Sequence, residues 1–211
     1  MDLEALKEAV IAGDVKGCTI LTDVAIKAGH TPQTILNEAL ISAMQVVGEK
    51  FRCNEVYVPE VLVAARAMKK SLAMLKPLLA QAGTKPVGIA VLGTVRGDLH
   101  DIGKNLVGMM WEGAGLEVVD LGTDVPPDKF VQAVKDTKAQ LLGVSTLLTT
   151  TMLGIRDVIQ ALERAELRQR VKVMVGGAPV TQAFADEIGA DGYGSDASSA
   201  VDLFLRLVGE R

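Results

Sequence analysis

The sequence predicts a four-helix bundle followed by a doubly wound, parallel α/β domain. Apolar residues recur at helical spacing through the first 81 residues. Beyond residue 86, continuous apolar runs alternate with amphipathic patterns, the texture of a parallel sheet buried on both faces. Most of the 21 glycines fall in this second part, as its turn-rich connections require.

In the first part, Leu3, Leu6, Val10 and Ile11 mark a helix that Gly13-Asp14 breaks. Asp14 can cap the next helix, which runs to about Ala28. Thr31-Pro32 is a cap followed by proline at the first helical position, ahead of the stripe Leu36, Leu40, Met44 and Val47. Pro59 opens a fourth helix with Val63, Met68, Leu72 and Leu75. Met44, Met68 and Met74 read as bundle core. Ala82–Pro86 is the linker, giving domains at 1–82 and 87–211. Strands are expected at 87–92, 117–121, 141–145 and 171–175, with a short one at 192–193. Helices fall at 102–114, 127–138, 152–166, 179–188 and 197–208. Ligands of such sheets bind beyond the carboxyl ends of the strands.

Several function classes are disfavoured. Net charge is −4, aromatics make up 3%, and no helix carries a basic stripe, so nucleic acid is not an expected partner. The acidic start, Met1-Asp2-Leu3-Glu4, is unlike a signal peptide. No apolar run approaches the ~20 residues of a membrane span. Cys18 and Cys53 are far apart and in no paired motif, which reads as reduced thiols in a cytoplasmic protein.

The first strand is expected to end at Leu92, with a loop from Gly93 to Asp101 holding Gly97, Asp98 and His100. Gly103 follows on the first helical turn. The only other histidine, His30, reads as a surface residue beside a proline-started helix. His100 alone could simply cap a helix. Three features point further. Asp98 can fix its tautomer, as carboxylates do behind metal-bound histidines. The flanking glycines admit a bulky group close to the backbone. The loop exceeds the usual length of about four to six residues. Zinc would need three or four protein ligands, and Cys18, Cys53 and His30 lack ligand spacing. One histidine suits a metal whose other ligands come from a macrocycle, haem included. No Gly-x-Gly-x-x-Gly turn or Gly-Lys-Ser/Thr loop is present.

The run Asp98-Leu99-His100-Asp101-Ile102-Gly103 resembles the signature of cobalamin-binding modules. That signature continues with Ser145-Thr146-Leu147, with 41 residues between Gly103 and Ser145, and with Gly176-Gly177, with 28 residues between Leu147 and Gly176. Val47-Gly48-Glu49-Lys50-Phe51 and Tyr57-Val58-Pro59-Glu60 resemble the helical cap of methyl-carrying corrinoid proteins. The resemblance spans essentially the whole chain and implies a helical cap on a Rossmann/flavodoxin-like cobalamin domain. It implies that His100 ligates cobalt from below, with Asp98 holding the ring and Thr151, where the family has serine, completing a proton relay. Gly97, Leu99, Asp101, Ile102 and Gly103 would border the cofactor. Ser145, Leu147 and Thr149 would line a slot for the nucleotide tail. Gly176 and Gly177 would let the tail pass, Tyr193 and Asp196 would close the far end, and Tyr57 would cover the upper face. Taken singly, Ser145 and Thr149 could be helix caps, Gly176-Gly177 an ordinary turn, Leu147 core and Tyr193 a strand aromatic.

The function so implied is a methyl carrier that cycles between cob(I)alamin and methylcobalamin, or uses a related corrinoid. Its partners would be a substrate-specific methyltransferase, a methylcorrinoid:tetrahydrofolate or thiol methyltransferase, and a corrinoid reductive activase. The Ala82–Pro86 linker would be the hinge that lets partners in. A cobalamin-binding sensor and an adenosylcobalamin mutase subunit are the alternatives.

Overall fold

The computed structural model describes residues 3–82 and 86–209. It divides into two compact units, residues 1–86 with 112–115, and residues 87–111 with 116–211. Residues 83–85 of the expected linker lie outside the described residues.

The first unit is helical: α1 (Glu4–Ile11), α2 (Val15–Lys27), α3 (Pro32–Thr34), a π-helical stretch (Ile35–Ile41), α4 (Ser42–Arg52) and α5 (Val58–Gln81). Its starts are capped as the sequence suggests. The Asp14 carboxylate accepts from the Gly17 N–H at 2.9 Å, and the Thr31 hydroxyl from the Thr34 N–H at 3.1 Å. At α5 the Glu60 carboxylate reaches back to the Tyr57 N–H at 2.9 Å. The π-helical stretch is a departure from the sequence reading. Its wider turn rotates the apolar stripe, so Ile35, Ala39 and Leu40 are buried while Leu36 is only half-buried. Met44, Val47, Met68 and Leu75 are core, but Met74 and Leu72 are half-buried. Val63, expected inside, is half exposed and lies against the Gly13 turn. His30 is half-buried rather than on the open surface. Inside, the Thr22 hydroxyl donates to Ser71 Oγ at 2.8 Å, and burial pushes the neighbouring Cys18 thiol up to about 11.

The second unit is a five-stranded parallel sheet in the order β2-β1-β3-β4-β5. The strands are β1 (Gly88–Thr94), β2 (Leu116–Asp120), β3 (Leu141–Ser145), β4 (Lys172–Gly176) and β5 (Gly192–Gly194). Between and after them come α6 (Ile102–Gly113), α7 (Pro127–Thr137), α8 (Leu153–Arg164), α9 (Gln182–Glu187) and α10 (Ala197–Gly209). Alternate strand residues feed two cores. Val91, Leu142, Val144 and Val173 pack with Phe130, Ile155 and Leu162 on one face. Ala90, Leu92, Leu141 and Met174 pack with Trp111 and Phe204 on the other. That double burial is why the strands read as unbroken apolar runs.

Two positional corrections bear on function. β1 runs to Thr94, not Leu92, and Val95 still bridges to Val125, so the loop proper is residues 95–101. α9 begins at Gln182, capped by Thr181, because Val180 is spent in the core. β1 lies between β2 and β3, so the chain leaves it towards opposite sides of the sheet. The crevice opens there, at the carboxyl ends of β1 and β3.

Candidate functional site

The three spaced motifs converge on one edge. Thr94 pairs with Ser145, Ser145 with Gly176, and Gly176 with Gly194, a single line across the ends of four strands. The loop after β1 and the loop after β3 meet at Asp98, which has no exposed surface.

Asp98 Oδ1 accepts the His100 N–H at 3.1 Å and lies 2.7 Å from His100 Nδ1. Its Oδ2 accepts the Leu147 N–H at 2.7 Å and the Leu148 N–H at 3.2 Å. The Thr151 and Thr146 hydroxyls each donate to the same oxygen at 3.0 Å. Burial alone would raise the carboxyl's pKa. Donation from the backbone of Leu147 and His100, the His100 ring and Thr151 outweighs it and holds Asp98 well below the usual carboxylate range. Asp98 is therefore an anion, able only to accept, so the Nδ1 facing it carries a proton and Nε2 is the ring nitrogen left to act as a ligand.

The histidine's backbone is pinned too. The buried Thr94 hydroxyl donates to the His100 carbonyl at 3.0 Å. The loop is tied to the turn after β2: the Gly97 N–H donates to Asp124 Oδ1 at 2.7 Å, and the Asp124 N–H to the Asp98 carbonyl at 3.0 Å. At the start of α6, the buried Lys104 ammonium donates to Asp120 at 2.6 Å and to Asn105 at 2.7 Å. Asn105 in turn donates to Asp101 at 2.9 Å.

Around this rigid base the surface is apolar. Leu99 is 72% and Ile102 76% exposed, and Leu147, Leu148 and Leu153 are exposed as well. A Cβ on Gly103 would meet nothing within 4 Å. The His100 side chain is half exposed. Among the described residues no group of three or more His, Cys, Asp and Glu could hold a metal ion. The site therefore offers one nitrogen ligand within an apolar rim, which fits a flat macrocycle carrying its own metal.

The remaining expected residues are placed as follows. Ser145 is half-buried at the end of β3, and its carbonyl accepts from the Val95 N–H. Thr149 is exposed. Neither caps α8, which starts at Leu153. Gly177, at φ +122°, would place a Cβ 1.7 Å from the Thr146 carbonyl oxygen, and a Cβ on Gly176 would meet the Gly194 carbonyl at 3.0 Å. The protein's own backbone thus requires glycine at 177 and leaves little room for a side chain at 176. Tyr193 is half-buried against the core, and Asp196 caps α10 by accepting the Ser199 N–H at 2.7 Å. Tyr57 is 65% exposed at the start of α5. Sequence reasoning missed Thr94, Thr146 and Lys104. Thr94 was hidden by ending β1 too early, and Thr146 by its place between two motif residues. No local signal marked Lys104, which stands between Gly103 and Asn105 in the sequence.

Comparison with known proteins gives consistent findings. One B12 binding domain family matches residues 88–202, and a second matches residues 2–76. A corrinoid protein of Desulfitobacterium hafniense is 40% identical over 211 residues, 99% of this chain and 98% of that one. A dimethylamine corrinoid protein of Methanosarcina acetivorans is 48% identical over 175 residues, 83% of this chain and 82% of that one. Among solved structures, the methanol:cobalamin methyltransferase complex of Methanosarcina barkeri contains a chain that superposes with a TM-score of 0.90 at 29% identity. The match covers 99% of this chain and 80% of that one.

Proposed function

The chain belongs to the B12-binding family of corrinoid proteins, and on that premise we propose that it binds a cobalamin or related corrinoid and carries a methyl group between methyltransferases. The observation that carries the reading is the Asp98-anchored His100, its Nε2 free to ligate within a rim of exposed apolar side chains.

Bound there, the cofactor would supply a cobalt centre that takes up and gives up a methyl group. The chain's own residues do the rest. His100 Nε2 would be the protein's ligand to the cobalt. Asp98 keeps the proton on Nδ1 and the ring in place, and Thr151 holds Asp98 Oδ2. Leu99, Ile102, Leu147 and Gly103 would border the macrocycle, with Gly97 and Asp101 shaping the loop. Ser145, Thr149, Gly176 and Gly177 would border the slot for the tail, Tyr193 and Asp196 would close it, and Tyr57 would be the cofactor contact supplied by the cap domain. Residues 1–82 act as the cap domain and 87–211 as the cofactor domain.

A methyltransferase partner is supported by the methanol:cobalamin methyltransferase complex and by relatives named dimethylamine and trimethylamine corrinoid proteins. A sensor or an adenosylcobalamin mutase subunit is not favoured by those relatives. We place beside the donor-side enzyme a methylcorrinoid:tetrahydrofolate or thiol methyltransferase and a reductive activase. No helix among the described residues is long and apolar enough to cross a membrane. Cytoplasmic work fits two unpaired thiols.

The test is methylation of reduced holoprotein by purified methyltransferases for mono-, di- and trimethylamine and for methanol, each with its substrate. Growth of the methylated-cofactor spectrum with one of them supports the carrier reading. A holoprotein that none of them methylates, but that exchanges its cofactor for adenosylcobalamin, would favour the mutase alternative.

A further inference from the structure

Asp98 Oδ2 has more donors than it needs. Besides the two backbone N–H groups, it takes both threonine hydroxyls at 3.0 Å. Those hydroxyls lie 2.8 Å from each other, and each also reaches the Leu148 carbonyl, Thr151 at 3.1 Å and Thr146 at 3.4 Å. Two hydroxyl protons thus share three kinds of acceptor: the Asp98 carboxylate, the other hydroxyl and the Leu148 carbonyl. Either threonine can donate to the carboxylate while the other donates to its neighbour or to Leu148, so the carboxylate keeps a hydroxyl donor whichever one rotates.

Thr146 is placed for this by the next strand. It is fully buried, and its N–H donates to the Gly176 carbonyl at 3.2 Å. Its carbonyl occupies the space a Cβ on residue 177 would need, 1.7 Å away, and φ at Gly177 is +122°. Only glycine at 177 lets Thr146 sit at this depth.

We infer that Thr146 is a positioning residue for His100, acting through Asp98, and that Gly177 is what seats it. The inference rests on the reading of His100 as the lower ligand. It extends the hold on that ligand to the side chain between Ser145 and Leu147, the position the Ser-x-Leu motif leaves open, and it ties the glycine pair to the histidine as well as to the tail.

The test begins without cofactor. Protein labelled with ¹⁵N-histidine gives imidazole nitrogen resonances whose positions report tautomer and hydrogen bonding, and His30→Gln assigns those of His100. At one fixed pH, Thr146→Val and Thr151→Val should each move the His100 nitrogens, and the double variant should move them further. Thr146→Ser should restore the wild-type positions, and Gly177→Ala should reproduce the Thr146→Val shift. With hydroxocobalamin as the probe, Thr146→Val should weaken binding about tenfold and Thr146→Ser should not. His100 nitrogens unmoved by Thr146→Val but moved by Thr151→Val would overturn the inference, leaving Thr146 as packing. If the valine variant does not fold, Thr146→Ala is judged by the same shifts. Wild-type protein that fails to bind hydroxocobalamin would instead count against the carrier reading, and the nitrogen resonances would still decide the role of Thr146.

Discussion

His100 Nδ1 lies 2.7 Å from Asp98 Oδ1, and Asp98 has no exposed surface. A buried anion fixes a half-exposed ring, so the ring's free nitrogen is presented in one tautomer and one orientation. Asp98→Asn should break this. The amide group has donors where the carboxylate accepts from Leu147 and the threonines, leaving groups unsatisfied at a cost of about 1–3 kcal/mol each. Hydroxocobalamin affinity should fall about 10–100-fold, read by absorbance titration, with a lower melting temperature. Unchanged affinity would count against Asp98 as the anchor.

The same carboxylate makes stability depend on pH in a defined sense. Its folded-state pKa is depressed, so it stabilises the fold fully above the unfolded-state value of about 4, and that contribution disappears as pH falls through the depressed value. Urea midpoints of wild type and Asp98→Asn should differ by a constant amount between pH 5 and 8 in such an experiment, and converge on acidification below about 4. A gap that widens in acid would contradict the assignment.

Two glycines of the motifs should respond in opposite ways. Gly103→Ala adds a methyl group to open space on a helix, where alanine is favoured by about 0.5–1 kcal/mol, so the fold should be as stable or more so. If the cofactor rests there, hydroxocobalamin binding should nevertheless weaken. Gly177→Ala sets a Cβ against the Thr146 backbone at a φ that costs about 1–3 kcal/mol before any clash, so melting temperature should drop even without cofactor. Paired melting curves and cobalamin titrations separate the two.

The cysteines should differ in reactivity. Cys18 is fully buried, and burial, helped by the charge of Asp14, holds its thiol near 11, whereas Cys53 is exposed. A thiol reagent at pH 8 should label Cys53 promptly and Cys18 only in denaturant. Fast labelling of both would show that the bundle opens readily around Cys18.

What could be read from the sequence follows from which forces are local. The three inner strands were legible because burial on both faces leaves a nearly unbroken apolar run, as at Ile89–Leu92, whereas β2 and β5 lie at the edges of the sheet. The starts at Val15 and Pro32 were legible because Asp14 and Thr31 carry their own capping chemistry. The π-helical stretch at Ile35–Ile41 was not, since its apolar spacing is equally compatible with an ordinary α-helical turn. His100 and Asp98 were readable from their places in the loop after β1, and Thr151 only through the resemblance to cobalamin-binding modules. Thr146 was not, because alternation along a strand says only that Ser145 and Thr146 point oppositely. Which of them reaches Asp98 is set by the register of β3 against β1 and β4. Thr94 was lost for a similar reason, since the true end of β1 is fixed by the Val95–Val125 bridge to the turn after β2.

The most direct test of His100 as the cobalt ligand is electron paramagnetic resonance of the holoprotein reduced to Co(II), prepared with ¹⁴N- and with ¹⁵N-histidine. If His100 Nε2 is the lower ligand, the nitrogen splitting of the cobalt lines changes from a triplet to a doublet on ¹⁵N labelling and disappears in His100→Ala. A triplet that persists with ¹⁵N-histidine, or that survives in His100→Ala, would mean that the cofactor's own base holds the cobalt and would contradict this account.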